Sequence, residues 1–552
     1  MNSVCKRLTT IVSCIGTVGL LSGYPSISWG SDGLFHEAAE YFAARTKVRN
    51  PFPPNRHARR VHDNAPFIID LHADTLMHPN DGGVENYRLT VNRNREGHVD
   101  INKLIEGNVA LQVFAVPTKA SLDLMGSAVP WATGVYIDHE GVQGEPGTAY
   151  SRYEFQRDPN RAEYDDPDQP YVDRYKWLLM ERDFGSYLAR TSGLPCSTWD
   201  DGKPWRKTWG YTPDCPEMDV DNMYLNRKLA TASRLLDAAE QDDRIRIVRS
   251  EADIDDVIWR RSEGIPTVGA MLATEGLYFP AEVETEEGVT ALNSIYRTLY
   301  EKGFRMFALT HFIDNDFGGS CTGMGRAHFK EGRGLQPAGK HFMHNVIEHD
   351  TIIDLAHASR ATFNDLIKMA RDADKPVVMS HAGLAELPSG DERCLQPRNL
   401  YDQEVLEVAS TGGVVGIGFA EAFICDIRPI GWAKAVRHAV DTIDRSLVQR
   451  NQKPTLCLAT DAECQQQRDE ICSYATGNDA CMSGVDHVAL GTDYDGGVEA
   501  WTDIDDLNQY TEALVCKKSW WRPNCLEKPF TEEEAHKILG LNSLRVMREV
   551  LP

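Results

Sequence analysis

The stretch FIIDLHADTL, residues 67–76, is an apolar run that ends in His72 and Asp74. If this run is a strand, side chains two positions apart point to the same side, so the imidazole and the carboxylate converge on one spot. Histidine nitrogen and carboxylate oxygen are both zinc ligands in proteins. A lone His-x-Asp pair is more often an ordinary hydrogen bond at a strand end, so the rest of the chain must decide between these interpretations.

Eight short apolar runs with β-branched residues predict the strands that would position such residues. They are continuous rather than alternating in apolar residues, which is typical of strands buried on both faces. The runs cover residues 66–73, 108–116, 267–276, 305–312, 351–358, 376–383, 413–420 and 487–496. Stretches with helical periodicity lie between several of them, for example around residues 225–239. Alternating strands and helices predict an α/β fold with a parallel sheet, and eight units predict a (β/α)8 TIM-type barrel.

Six of these eight predicted strands end in residues that can bind a metal or transfer a proton. The residues are His72 with Asp74, Glu275, His311, His357, His381 and Asp493. In such a barrel the carboxyl ends of all strands open onto one mouth, which is where the chemistry takes place. Each residue could alone be structural, but their recurrence at matching depth favours a single active site at this mouth.

The residue types predict a centre of two zinc ions. His72 and Asp74 can bind one ion, and His357 with His381 can bind the second. Glu275 has two oxygens and can bridge ions that lie about 3.5–4 Å apart, with a hydroxide between them as the nucleophile. Manganese or cobalt would accept the same ligands, so the pattern does not select zinc by itself.

Two further residues complete the predicted chemistry. Asp493, at the end of the last strand, can take the proton of the nucleophile and give it to a leaving amine. His311 is not needed as a ligand and can stabilise the oxyanion.

Composition restricts the class of protein. The chain has 552 residues, of which 42% are hydrophobic and 25% charged, as in soluble globular enzymes. It carries 58 Lys and Arg against 82 Asp and Glu. This acidic balance argues against nucleic-acid binding, which depends on basic residues that neutralise phosphates.

The N-terminus has the features of an export signal. Lys6 and Arg7 precede a short apolar stretch at residues 10–23, and small residues follow before a cleavage position near residue 30. This pattern predicts a signal peptide over residues 1–30 and an exported protein, periplasmic or secreted. Residues 31–66 are polar and are interpreted as an N-terminal arm.

Thirteen cysteines occur in the chain, two of them in the predicted signal. Local cysteine pairs in an exported chain predict disulfides rather than a cysteine-rich zinc site. The clustered cysteines are Cys196 with Cys215, Cys516 with Cys525, and the four between residues 457 and 481. Eleven cysteines lie outside the predicted signal, and because this number is odd, at least one of them is outside a disulfide.

The barrel domain is predicted over residues 67–552 with two insertions, at about 117–217 and 424–484. Both gaps are longer than one connecting helix requires. Either insertion could narrow the mouth of the barrel or build a contact in a homodimer. The stretch from Thr531, with Glu534 three positions later, predicts a capped helix near the C-terminus.

Several segments together resemble a known family. They are DLHADT, GHVDINKLIEGNVALQVFAV, ATEG, FALTHFIDNDFGGS, GLQPAGK, IDLAHAS, SHAG, PRNL, GTDYDGG and LGLNSLRV, and they span about residues 67–552 apart from the two insertions. The chain resembles the renal (membrane) dipeptidase family, zinc metallopeptidases of the amidohydrolase superfamily.

The resemblance implies a role for each site residue. It implies two zinc ions bridged by Glu275, held by the ligands His72, Asp74, Glu275, His357 and His381. It assigns the proton transfer to Asp493 and substrate contact to His311, and it matches Arg398 to the arginine that binds the C-terminal carboxylate of the substrate, a task suited to a guanidinium fork.

The resemblance also implies an activity, which is hydrolysis of dipeptides, including those with a C-terminal D-residue. Membrane-bound members use a C-terminal lipid anchor, but this chain ends in REVLP without a hydrophobic tail, so no stable membrane anchor is expected. Hydrolysis of lactones, β-lactams or N-acyl amino acids in the same site is the alternative activity. A binding protein without activity is disfavoured, because a binder has no need of Asp493.

Overall fold

The computed structural model describes residues 54–77, 98–117, 136–137, 143–144, 220–279, 281–311, 314–321, 333–390, 394, 398–449, 483–496, 500–520 and 525–552. All of them belong to a compact unit formed by residues 43–552. The predicted signal peptide lies outside the described residues, and so do the cysteines of the 196–215 and 457–481 clusters.

Parallel strands form the centre of this unit. In chain order the described strands are β1 Ile68–Ala73, β2 Val109–Pro117, β3 Tyr136–Ile137, β4 Gln143–Gly144, β5 Ile245–Ile247, β6 Val268–Glu275, β7 Phe304–Ala308, β8 Ile352–Asp354, β9 Val378–Ala382, β10 Val414–Ile417 and β11 Val488–Leu490. Strands β3 and β4 pair only with each other, antiparallel, within the first predicted insertion. The other nine share one sheet.

Eight of these nine strands form a nearly closed barrel. Their order in the sheet is β1, β2, β6, β7, β8, β9, β10 and β11, which is also their order in the chain. A parallel bridge between Ala73 and Tyr494 links the end of β1 to the segment that follows β11. These eight strands coincide with the eight predicted apolar runs, so the predicted α/β barrel is confirmed.

The ninth strand, β5, was not predicted. Ile245 of β5 pairs with Val268 at the start of β6. Strand β2 pairs with one edge of β6 from Gly269 onward. Strand β5 pairs with the start of the other edge of β6, which β7 joins only from Leu272. A three-residue strand that contains one arginine has too few apolar residues to stand out in the sequence.

Helices surround the barrel and connect its strands. They are α1 Arg56–Asp63, α2 Ile101–Glu106, α3 Val220–Gln241, α4 Glu251–Ser262, α5 Glu286–Lys302, α6 Pro337–Glu348, α7 Arg360–Asp372, α8 Asp402–Ala409, α9 Glu421–Ile424, α10 Pro429–Gln449, α11 Asn508–Val515, α12 Glu532–His536 and α13 Asn542–Val550. Local signals set their bounds: the Thr285 side chain accepts the Gly288 N–H at the start of α5, and Gly303 ends that helix at φ 113°. The predicted capping box of Thr531 and Glu534 begins α12. None of the helices in the described residues is long and apolar enough to cross a membrane.

The described end of the predicted N-terminal arm is part of the helical layer. Helix α1 buries Ala58 and Val61, and the Nδ1 atom of His62 lies 2.9 Å from Oγ1 of Thr511 in α11. Asn55, which caps the helix, donates from Nδ2 to the carboxylate of Glu512 at 2.6 Å. The last residues of the arm therefore pack against the C-terminal part of the barrel.

Part of the second predicted insertion is an ordinary barrel helix. Helix α10 lies within residues 424–484 and connects β10 to β11. Trp432 is fully buried and donates from Nε1 to the carbonyl of Ile417 at 3.0 Å. Buried Val436 and Val440 follow at intervals of four, so an amphipathic helix was readable here. The residues of this prediction that lie between 450 and 482 are outside the described part of the chain.

The buried apolar side chains belong to two clusters. In one cluster Leu71, Met271 and Met306 pack with Met547 of α13. The larger cluster joins strand residues to the surrounding helices. Apolar packing on both sides of the strands fixes their backbones, and with them the strand ends from which the site is built.

Two disulfides lie within the described residues. Cys516 pairs with Cys525, nine positions later, as their proximity in sequence predicted. Cys394 pairs with Cys425 across 31 positions, a pairing that local clustering did not suggest. The second disulfide joins the loop after β9 to the loop after β10.

Candidate metal centre

All seven residues predicted from the strand ends meet at the carboxyl side of the barrel. Four of them lie in a strand or directly after it, namely His72, Asp74, Glu275 and His381. The other three lie in loops, three positions after their strands end, namely His311, His357 and Asp493.

Two of the loop residues have left-handed backbones. His357 has φ 62° and Asp493 has φ 60°. These conformations end the strands earlier than the apolar runs, which continued through both residues. A left-handed non-glycine residue costs about 1–3 kcal/mol and persists only where its surroundings fix it.

The carboxylate of Glu275 lies among four imidazoles. Its Oε1 atom is 2.8 Å from Nε2 of His357 and 3.6 Å from Nε2 of His381. The same oxygen is 3.7 Å from Nε2 of His72 and 3.5 Å from Nε2 of His311. Glu275 is therefore placed to share a metal with ligands on either side.

Two further carboxylates, those of Asp74 and Asp493, lie close to His72 of β1. Nε2 of His72 lies 3.8 Å from Oδ1 of Asp74 and 3.8 Å from Oδ1 of Asp493. The Nε2 atoms of His357 and His381 are 3.2 Å apart, and the ring centre of His381 lies 3.7 Å from that of His72.

Three overlapping groups of these residues have ligand atoms within 4.8 Å of one another. The groups are His72 with Glu275 and His381, Glu275 with His311 and His357, and His72 with Asp74 and Asp493. Glu275 and His72 each belong to two of the groups, and the carboxylate of Glu275 offers two oxygens with which to contact two ions.

The donor atoms fit a metal centre. Nε2 of His72 and Oε2 of Glu275 are buried, and neither has a hydrogen-bond partner within the described chain. Buried polar atoms without a partner are costly, and a metal ion would satisfy both. The set of imidazole nitrogens and carboxylate oxygens is one that zinc accepts.

Burial sets the ionisation of the site. It raises the pKa of Glu275 to about 8, and the negative charge of Asp493 adds to that rise. Burial, followed by the positive charge of Arg398, lowers the pKa of His72 to about 3. The pKa values of His357 and His381 are also well below their ordinary range because of burial. These shifts favour the neutral form of His72, His357 and His381, which is the form that binds a metal, and metal binding would require Glu275 to be ionised.

Arg398 lies beside this centre in the loop after β9. Its Nη2 donates to the backbone carbonyl of His381 at 2.9 Å, and its guanidinium carbon is 5.3 Å from the centre of the Phe423 ring. The Cys394–Cys425 disulfide connects the loop that carries Arg398 to the residue directly after α9, the helix that carries Phe423. The positively charged guanidinium of Arg398 is thus held next to His381, a residue of the candidate centre.

Sequence reasoning missed two residues next to the site. The ammonium of Lys228, on α3, is buried and donates to the carbonyl of Val116 near the end of β2. Burial lowers the pKa of Lys228 to about 7, against the opposing effects of Glu275 and Asp74. Nothing in the sequence distinguishes this lysine from the other charged residues of its helix, so its buried place beside the site could not be predicted.

Tyr278 is the second residue. Its hydroxyl accepts the backbone N–H of His311 at 2.9 Å and so holds the loop after β7. Its position three residues after Glu275 was the only available signal.

Comparison with known proteins identifies relatives of this chain. A model of the membrane dipeptidase family, peptidase family M19, matches residues 240–551. The dipeptidase ataJ of Aspergillus terreus is 27% identical over 204 residues, which are 37% of each chain. An uncharacterized dipeptidase of Schizosaccharomyces pombe is 25% identical over 283 residues, 51% of this chain and 53% of the relative. The chain spans between about a third and a half of the length of these curated relatives.

Solved structures share the fold. A dipeptidase AC of family M19 has a TM-score of 0.51 at 16% identity, and the match covers 88% of this chain and 99% of that one. A metallopeptidase from Rhodobacter sphaeroides, solved with a phosphinate mimic of the dipeptide L-Ala-D-Ala, has a TM-score of 0.50 with the same identity and coverage. Since the family model covers more than half of the sequence, the chain belongs to the membrane dipeptidase family, peptidase family M19.

Proposed function

We propose that this protein is an exported zinc-dependent dipeptidase that hydrolyses the peptide bond of dipeptides. The observation that carries the proposal is the buried carboxylate of Glu275 among four imidazoles, with Asp74 and Asp493 beside it. Family membership supports the same activity.

The proposed centre would hold two zinc ions, with Glu275 as a ligand of both. His72 and Asp74 would be the other ligands of one ion, and His357 with His381 those of the other. Zinc bound there supplies the Lewis acidity that peptide hydrolysis needs. The 3.2 Å between the Nε2 atoms of His357 and His381 supports this pairing, whereas the 3.7 Å between the ring centres of His72 and His381 would also allow His381 to join the ligands of the first ion.

Asp493 is proposed to transfer the proton to the leaving amine. Its Oδ1 atom lies 3.8 Å from Nε2 of His72, so it faces the centre from the same side as Asp74. Its burial near Glu275 supports a role in passing a proton to the substrate nitrogen.

His311 and Arg398 are proposed to contact the substrate. Nε2 of His311 lies 3.5 Å from Glu275, close enough for a hydrogen bond to a negative charge that develops on the carbonyl oxygen. The Arg398 guanidinium can bind the C-terminal carboxylate of a dipeptide. Together they would select substrates whose scissile carbonyl and terminal carboxylate are one residue apart.

The compartment and the stereochemistry are further parts of the proposal. Disulfides form in oxidising compartments, so the Cys394–Cys425 and Cys516–Cys525 pairs support export. Acceptance of a C-terminal D-residue is proposed because a structural relative was solved with a mimic of L-Ala-D-Ala.

The test compares a free dipeptide with its C-terminal amide. Zinc-loaded wild type should hydrolyse L-Ala-L-Ala or L-Ala-D-Ala and should act far more slowly on the amide. Arg398→Met should lower kcat/KM for the free dipeptide at least about 100-fold, since charge-assisted hydrogen bonds contribute about 1.5–3 kcal/mol each. The same variant should change hydrolysis of the amide little. Equal losses on both substrates would contradict the proposed role of Arg398, and preferred hydrolysis of lactones or N-acyl amino acids would replace the dipeptidase proposal.

A further inference from the structure

Two buried aspartates lie below the centre and have no part in the proposed chemistry. Asp70, in β1, is 0% exposed, and Asp354, the last residue of β8, is 2% exposed. Asp70 lies two positions before His72, and Asp354 lies three positions before His357. Buried carboxylates require several hydrogen-bond donors.

Asp70 receives its donors from three parts of the barrel. Its Oδ1 accepts the backbone N–H of Thr492 at 2.8 Å and that of His72 at 3.4 Å. Its Oδ2 accepts the Thr492 hydroxyl at 2.7 Å and the Gln112 amide at 2.8 Å. One carboxylate therefore connects β1, β2 and the segment after β11.

This connection continues into the site. The N–H of Asp493 donates to the carbonyl of His72 at 3.2 Å, and the N–H of Asp74 donates to the carbonyl of Tyr494 at 2.9 Å. The hydrogen bonds between Asp70 and Thr492 lie next to these two backbone hydrogen bonds. Together they fix the distance between His72 and Asp493 through the backbone.

Asp354 does the same on the opposite side. Its Oδ1 accepts the N–H of Ala356 and the N–H of Ser380, both at 3.0 Å. The residues that follow these two donors are His357 and His381. Ser380 adds a side-chain hydrogen bond of 2.9 Å between its Oγ and Nδ1 of His381.

We propose that Asp70 and Asp354 are positioning residues, each of which holds one half of the metal centre. Asp70 fixes His72 together with Asp493, and Asp354 fixes His357 together with His381. This inference rests on the proposed ligand assignment.

A carboxylate suits each of these positions because one of its oxygens can accept two N–H donors at once. Oδ1 of Asp70 accepts the N–H of His72 from its own strand and that of Thr492 from the segment after β11. Oδ1 of Asp354 accepts the N–H of Ala356, two positions later in the chain, and that of Ser380 in β9. Groups around a metal ligand that fix its orientation affect metal affinity by about 10–100-fold when they are removed.

The experiment measures zinc affinity at each half of the centre, without turnover. Asp70→Asn and Asp354→Asn are prepared as full-length proteins, and zinc is titrated against a chelator of known affinity. His72→Ala and His357→Ala, each combined with either Asn variant, assign the two binding steps. Asp444→Asn is the matched control, since Asp444 is also buried and accepts the Gly484 N–H at 2.7 Å.

Site-selective loss is the expected result. Asp70→Asn should weaken one zinc about 10–100-fold and change the other less than about threefold. It should add little to His72→Ala but show its full effect in His357→Ala, and Asp354→Asn should show the reverse pattern. Asp444→Asn should lower the Tm without changing either affinity.

Two results would overturn the inference: equal weakening of both zinc ions in proportion to a fall in Tm, or no change in either affinity. If an Asn variant does not fold, Thr492→Val removes the hydroxyl that contacts Asp70, the His72 carbonyl and the Tyr494 N–H, and Ser380→Ala removes the hydroxyl that contacts His381. Both variants should show the same selectivity with smaller losses. The outcome is separable from the proposed function, because wild type that binds two zinc ions but hydrolyses no dipeptide would reject the function alone.

Discussion

Replacement of Glu275 by glutamine should remove one contribution to the pH dependence of stability in the metal-free protein. Glu275 is buried at the centre, and its pKa is raised from 4.5 to about 8. Glutamine has nearly the same shape and does not ionise. The variant therefore removes one titration while it leaves the packing of the barrel largely unchanged.

The sign follows from proton binding. Between pH 4.5 and about 8 the folded protein keeps a proton on Glu275 that the unfolded chain has released. The folded state binds more protons, so this group makes the free energy of unfolding fall by about 1.4 kcal/mol for each unit of rising pH. Above about pH 8 both states are ionised and the slope ends. Asp70 and Asp444, with pKa values raised by burial to about 6 and about 7, contribute the same slope in both proteins.

The assay is urea unfolding of metal-free wild type and Glu275→Gln at pH 5, 6 and 7. Subtraction cancels the other titrating groups. The free energy of unfolding of the variant should rise relative to wild type by about 1.4 kcal/mol per pH unit, or about 2.7 kcal/mol over the range. Saturating zinc should stabilise wild type more than the variant, because the variant lacks the carboxylate of a proposed zinc ligand.

A difference that stays constant from pH 5 to pH 7 would refute this reasoning. It would mean that Glu275 is already ionised in the metal-free protein and that burial does not control its pKa. Zinc that stabilises both proteins equally would separately show that Glu275 is not a ligand.

Three further substitutions test other parts of the structure. Gly496→Ala places a Cβ 2.4 Å from Oδ1 of Asp493, so kcat should fall at least about tenfold with little change in urea stability. Tyr278→Phe removes the acceptor of the His311 N–H, and we expect kcat to fall about tenfold by steady-state kinetics while metal analysis shows unchanged zinc content. Trp432→Ala empties a fully buried position and should lower the free energy of unfolding by about 3–5 kcal/mol, measured by urea titration.

The barrel was predictable because its strands are buried on both faces. Such strands are continuous apolar runs, and all eight stand out in the sequence. The site was predictable for a related reason, since residues such as Glu275 and His381 end these runs at a common depth. The short strand β5 was missed because Ile245–Ile247 offers only two apolar residues.

Features that depend on tertiary contacts were not predictable. Cys516 and Cys525 are nine positions apart and could be paired from the sequence, but Cys394 and Cys425 meet only when two loops of the barrel fold together. The proposed role of Asp70 could likewise not be read from the sequence, because its partner Thr492 reaches it only when β11 lies beside β1 in the barrel. The same holds for every contact whose partners are distant in the chain.

The most direct test of the proposed dipeptidase combines metal analysis with dipeptide hydrolysis, in wild type and in Asp493→Asn. We expect two zinc ions per chain in both proteins and hydrolysis of alanyl dipeptides by wild type. In the variant we expect kcat to fall at least about 100-fold. Wild type with two zinc ions and no activity on any L,L or L,D dipeptide would contradict the proposed function. Full activity in Asp493→Asn would contradict the proposed proton transfer.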